Sequence, residues 1–120
     1  MVEEKFDLAN ERCEPPSGNE FPLPFNDAMR LLQSLHEAWS INNNGHLERV
    51  FLHKDFSDAL NLATLLGKVA VEAKHYPDMV VAYGLLRVEI WSHAINGLWR
   101  SDFVLAAKFD RTSSEFWELS

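Results

Sequence analysis

Only one cysteine, Cys13, occurs in the 120 residues. The chain therefore has no internal disulfide and cannot build a cysteine-rich metal cluster. Basic residues are scarce, with 11 Lys and Arg against 18 Asp and Glu and a net charge of −7. No basic stripe is left to follow a phosphate backbone, so direct nucleic-acid binding is not expected. No apolar run nears the ~20 residues that span a bilayer. The first residues also lack the charged-then-apolar pattern of a secretory signal. A soluble, cytoplasmic protein with no membrane association is the expectation. No serine stands in a Gly-x-Ser-x-Gly turn and no Gly-rich phosphate loop is present, which disfavours nucleophilic hydrolysis and nucleotide binding.

What is present is enough for one small domain, since 47% of the residues are hydrophobic. Residues 1–24 read as a flexible tail. They hold Pro15, Pro16, Pro22 and Pro24, and six acids (Glu3, Glu4, Asp7, Glu11, Glu14, Glu20) against Lys5 and Arg12. Such a segment buries little and breaks helices, so extended or disordered structure is expected, with Phe21 or Phe25 anchoring its end. The folded domain is expected over 25–112. A short tail, 113–120, follows, with Phe116 and Trp117 folding back.

Within the domain, Asn26 is a candidate N-cap for a helix through about His36. Trp39 to Ile41 reads as a strand, and Asn42-Asn43-Asn44-Gly45 as a hairpin turn. The return strand, His46 to His53, alternates Leu47, Arg49 and Phe51 against Glu48, Val50 and Leu52, which leaves its inward face open. Asp55 or Ser57 starts the longest helix, ending near Lys74. Phe56, Leu60, Leu62, Leu65, Leu66, Val69 and Val71 place apolar groups on more than one side of it. One sheet covers one side only, so a second subunit is expected to cover another. Met79 to Tyr83 and Leu86 to Ser92 read as strands across a turn at Gly84. Ser101 or Asp102 caps a last helix. The order α-β-β-α-β-β-α predicts an α+β fold, a four-stranded antiparallel sheet with three helices packed on one face.

The chemistry concentrates in the stretch from Glu72 to Asp102. His75 and His93 lie on different elements, each beside a turn, where an imidazole can reach a cleft. Histidine is the side chain best suited to proton transfer near neutral pH. The simpler alternative is that each ring hydrogen-bonds its own turn. A metal site is not expected, because beyond the pair only Asp102 is an obvious donor, and His36, His46 and His53 show no ligand spacing. Trp39, Tyr83, Trp91 and Trp99 are candidates for an aromatic wall near the histidines, or for plain packing. Asp102 reads equally as a helix cap and as a ligand contact.

The run from about Leu31 to Asp110 resembles the pterin-4a-carbinolamine dehydratase family. The likeness rests on Trp39, Lys54-Asp55-Phe56, Val69-Ala70, His75-x-Pro77, Tyr83, and Ser92-His93 followed by Gly97-Leu98 and Asp102. It implies the same fold and association as a homodimer or homotetramer through the long helix and sheet edges. It implies dehydration of the 4a-hydroxytetrahydropterin that aromatic amino-acid hydroxylases release, as in tetrahydrobiopterin recycling, with no cofactor and no metal. By the resemblance, His75 and His93 are the catalytic acid and base. Tyr76, Pro77, Trp39, Ser92 and Asp102 then bind or shape the site for the pterin substrate.

The chain departs from the family's usual pattern at two places. The His-His-Pro turn is His75-Tyr76-Pro77 here, and a phenol is a poor proton acceptor at neutral pH. The acid often found four positions before the first histidine is Val71, with Glu72 one place later, about 100° round a helix. Loss of a positioned acid–base group typically costs on the order of 10²–10⁴ in rate. A rival reading follows, a non-catalytic binding or assembly protein of the same fold. Rubisco assembly factors share the Tyr-Pro-Asp of Tyr76-Pro77-Asp78, and animal members act as dimerisation cofactors for a homeodomain transcription factor.

Overall fold

The computed structural model describes residues 6–119; residues 1–5 of the expected tail and Ser120 lie outside the described residues. Seven main elements follow in the expected order: α1 (Phe25–Leu32), β1 (Ser40–Ile41), β2 (Leu47–Leu52), α2 (Phe56–Ala73), β3 (Asp78–Ala82), β4 (Leu85–Ile90) and α3 (Arg100–Leu119). The sheet is antiparallel throughout, in the order β1-β2-β4-β3. It is an α+β domain.

Burial settles the face that sequence alternation left open. Leu47, Arg49 and Phe51 of β2 point inward, as do Leu86, Val88 and Ile90 of β4. Pairing sets Phe51 opposite Leu86 and Arg49 opposite Val88, so the two inward rows run side by side. α2 lies against β3, β4 and α3, burying Ala59, Leu62, Leu66 and Ala70. Arg49 is a buried cation in this layer, and Asp110 of α3 meets it at 2.6 Å. The inward choice for β2 is tolerable because that carboxylate neutralises the guanidinium. Asp110 also accepts the Trp39 Nε1–H (2.7 Å) and the His36 backbone N–H (3.0 Å), which clamps the α1–β1 connection to α3.

The helix ends differ from expectation. α1 starts after Pro24 and not after Asn26, because Pro24, with ψ 151°, leads the chain from an extended path into the helix. It stops at Leu32 and not near His36, as the backbone tightens into bonds from Ser34 to Leu31 and from Leu35 to Leu32. Asp55 caps α2, its carboxylate accepting the Asp58 N–H (2.9 Å). α3 runs on to Leu119 through the segment expected as a tail, and Phe116 packs against the core.

Residues 6–24 are mainly extended around one 3-10 turn, Leu8–Asn10, that lies on α3. Their anchor is Leu8, 1% exposed, and not Phe21 or Phe25, which are 89% and 69% exposed. The turn presents Leu8 to α3, whereas the surrounding prolines keep Phe21 on the surface. Arg100 pairs with Glu11 through two 2.8 Å contacts, and Pro16 is buried. Among the described residues no helix is long and apolar enough to cross a membrane.

Candidate functional site

The site begins where α2 ends. Lys74 adopts a left-handed backbone (φ 56°), and the next N–H, that of His75, closes back on the Ala70 carbonyl at 3.2 Å. Pro77 then bars further helix. This turn swings His75 inward, where it is 7% exposed and its Nε2 lies 2.5 Å from Asp102 Oδ1.

Asp102 is wholly buried and sits in the first turn of α3, which starts at Arg100. It is therefore not the N-cap expected from sequence. Its second oxygen reaches back to the Trp99 N–H (2.8 Å), the role of the acidic partner in a capping box. That oxygen also accepts the Ser92 hydroxyl (2.9 Å). A buried carboxylate needs its lone pairs met, and here three donors from three segments do so. One side chain thereby ties together the ends of α2 and β4 and the start of α3.

His93 comes from the loop after β4. Ser92 and Gly97 bond to each other through N–H to carbonyl contacts of 2.9 and 3.3 Å, which pinches off the 3-10 turn His93–Ile95. Position 97 takes glycine because a Cβ there would stand 2.7 Å from the Pro22 ring, which packs against this loop. His93 is exposed to solvent and leans on Trp91, with ring centroids 4.1 Å apart. Trp91 also stacks on His46 at 4.0 Å, the planes within 3°. His46 Nδ1 lies 2.7 Å from Glu89 Oε2, and the Asn42 amide donates to the same oxygen at 3.0 Å. The Asn42 hydrogen bond, and after it His46, holds the Glu89 carboxyl below its ordinary range against the opposing effect of burial.

His75 and His93 border one cavity of about 300 Å³, together with Tyr76, Ser92, Lys74 and Ala94. Pro15 and Pro16 close its remaining side. Asp102 stands behind His75, and Pro77 supports the turn without lining the cavity. Trp39 lies apart, held by Asp110. Of the four aromatic candidates, Trp91 is the one whose ring contacts a site histidine among the described residues. Neither Val71, 63% exposed, nor Glu72 lines the cavity. Sequence reasoning missed Pro15 and Pro16, assigned to a tail, and the support of Trp91 by His46. The register of β2 against β4 brings His46 within reach of Trp91, and no local spacing carries that signal.

Comparison with known proteins adds four findings. The family model described as pterin 4 alpha carbinolamine dehydratase matches residues 22–112. A protein of Alkaliphilus metalliredigens (strain QYMF), provisionally named a pterin-4-alpha-carbinolamine dehydratase, is 40% identical over 108 residues, which is 90% of this chain and 97% of that one. A Rickettsia bellii (strain OSU 85-389) protein of the same provisional name is 37% identical over 86% of this chain and 91% of its own. Among solved structures, a transcriptional coactivator/pterin dehydratase from Brucella melitensis superposes with a TM-score of 0.69 at 25% identity, covering 76% of this chain and 97% of that one.

Proposed function

Because the chain belongs to the pterin-4a-carbinolamine dehydratase family of enzymes, we propose that it removes water from a 4a-hydroxytetrahydropterin by acid–base catalysis between His75 and His93. One observation carries this reading: imidazoles from two separate segments border a single cavity, and a buried carboxylate orients one of them. In the reaction the C4a hydroxyl gains a proton and leaves as water while N5 loses a proton, giving the quinonoid dihydropterin. No electrons are transferred, so one acid and one base suffice.

The surroundings of the rings suggest their roles. With His75 Nε2–H directed at Asp102, its Nδ1 carries the lone pair that takes the N5 proton, and the carboxylate stabilises the imidazolium formed. His93, open to solvent, gives its proton to the departing hydroxyl and regains one from water. Tyr76 and Ser92 offer hydroxyls to the polar edges of the ring, and Pro77 stiffens the turn between the two walls. Trp39 is left out of the substrate contacts within one chain. We place the reaction in the cytoplasm, with the protein acting as a homodimer or homotetramer through α2 and the sheet edges.

The purified protein is expected to accelerate decay of 4a-hydroxytetrahydropterin, and His75→Ala and His93→Ala each to lower the rate by at least about tenfold. A folded protein that leaves the rate at the buffer value would refute the enzymatic reading. It would favour the second one, a non-catalytic binding protein, which gains support from the exposed apolar side chains of α2 and from the likeness to the Brucella protein, named a transcriptional coactivator as well as a dehydratase.

A further inference from the structure

A second cavity, of about 730 Å³, lies where the last turns of α2, the middle of α3 and the segment around Arg12 meet. Arg12, Lys74, Lys108 and Arg111 line it, with the Thr112 hydroxyl and one acid, Glu72. The chain has only 11 Lys and Arg in all, so gathering four of them at one hollow is a marked local reversal of its acidic charge. Like charges brought together repel, and the fold does little to neutralise them. Lys108 donates to the Ala9 carbonyl (2.8 Å), and Arg111 to the Asn10 side-chain oxygen (3.0 Å) and the Ala9 carbonyl (3.3 Å), all neutral acceptors. The Arg12–Glu14 contact is 3.9 Å long, with both ends solvated. Among the described residues no carboxylate approaches within ion-pair distance of Lys74, Lys108 or Arg111. Cys13 on the same wall adds no negative charge, since burial pushes its thiol up to about 11.

We propose that this cavity binds a phosphate group. Guanidinium forks, ammonium groups and a hydroxyl are the donors that phosphate oxygens take, and a multiply charged oxyanion offsets the cation repulsion that the protein itself leaves in place. The location adds a second point. Lys74 also lines the histidine cavity, so the two hollows share a wall. The phosphate is either free in solution or an ester on the side chain of a ligand whose ring lies between the histidines; the latter source rests on the pterin reading above.

Titration calorimetry on the full chain at low ionic strength tests this, with inorganic pyrophosphate as the probe. Saturable binding tighter than about 1 mM is expected, weakened at least about tenfold by Arg12→Gln with Lys108→Gln. An unchanged melting temperature would show that the variant is folded; the single Arg12→Gln, at an exposed side chain, serves as the second variant and is expected to weaken binding in the same direction. No binding at that concentration, or equal affinity in wild type and the folded variants, overturns the proposal. A reduced pterin and its side-chain phosphate ester are then compared. A tighter ester, with the advantage erased by the variant, identifies the substrate as the source; equal pterins with pyrophosphate binding retained identify free phosphate. Failure of the dehydratase assay leaves the pyrophosphate arm intact, so the two ideas fail separately.

Discussion

Asp102 illustrates how much one buried side chain can coordinate. It accepts from His75, Ser92 and the Trp99 backbone at once, so under the proposed acid–base reaction it acts through the residues it holds. Asp102→Asn preserves the shape and an acceptor oxygen but removes the charge that supports a protonated His75. A fall in kcat on the order of 10²-fold is expected, with KM little changed. A drop in helix content and melting temperature that accounts for the whole loss would make the role purely structural. His53 gives a different residue-scale prediction. Its ring stacks on Trp117 at 4.9 Å, and among the described residues neither nitrogen finds a hydrogen-bond partner. Burial drives its pKa below the ordinary 6.5 in the folded state. The unfolded chain therefore takes up this proton first, so the contribution to stability is present above pH 6.5 and is lost as pH falls through the lowered value. His53→Phe is expected to reduce the loss of melting temperature between about pH 7 and about pH 5. An identical slope in the two proteins would contradict this.

At the scale of elements, α3 organises the domain. Its first turn carries Asp102 at the site, and Asp110 further along holds Arg49 of β2, the Trp39 indole and the middle of the α1–β1 connection. Asp110→Ala leaves the Arg49 guanidinium buried without a counter-charge, and a loss of about 3 kcal/mol is expected by chemical denaturation. Arg49→Met with Asp110→Ala should restore much of it. A loss below about 0.5 kcal/mol in the single variant would place Asp110 among exposed ion pairs, which contribute little. Element order, the helix entry at Asp55, the Asn-Gly hairpin and the two histidine turns were legible because each depends on neighbours in sequence. The ends of α1 and α3 were not. Ser113 and Phe116, on the far turns of α3, are held by packing that distant segments supply.

For the whole molecule, the unfinished part is the outer surface of α2. Phe56, Leu60, Leu65 and Val71 are between 38% and 63% exposed, on a helix whose other side is fully packed. Burial of such surface stabilises by about 25 cal/mol per Å², which favours association of copies of the chain. Sedimentation analysis is expected to give a dimer or tetramer of the 13.8 kDa chain, and Leu60→Glu to shift it towards monomer. A wild-type monomer at micromolar concentration would refute this.

The amino-acid order by itself determined the α+β class, the sequence of elements and the two imidazoles placed beside turns, because hydrophobic period, capping residues and proline act over a few positions. Only the tertiary structure decided that Pro15 and Pro16 wall the histidine cavity, that His46 supports Trp91, and that Arg12, Lys74, Lys108 and Arg111 share one hollow. Those groups are brought together by sheet register and by the packing of 6–24 along α3. Contacts across such separations depend on how the surfaces fit, which no local pattern encodes.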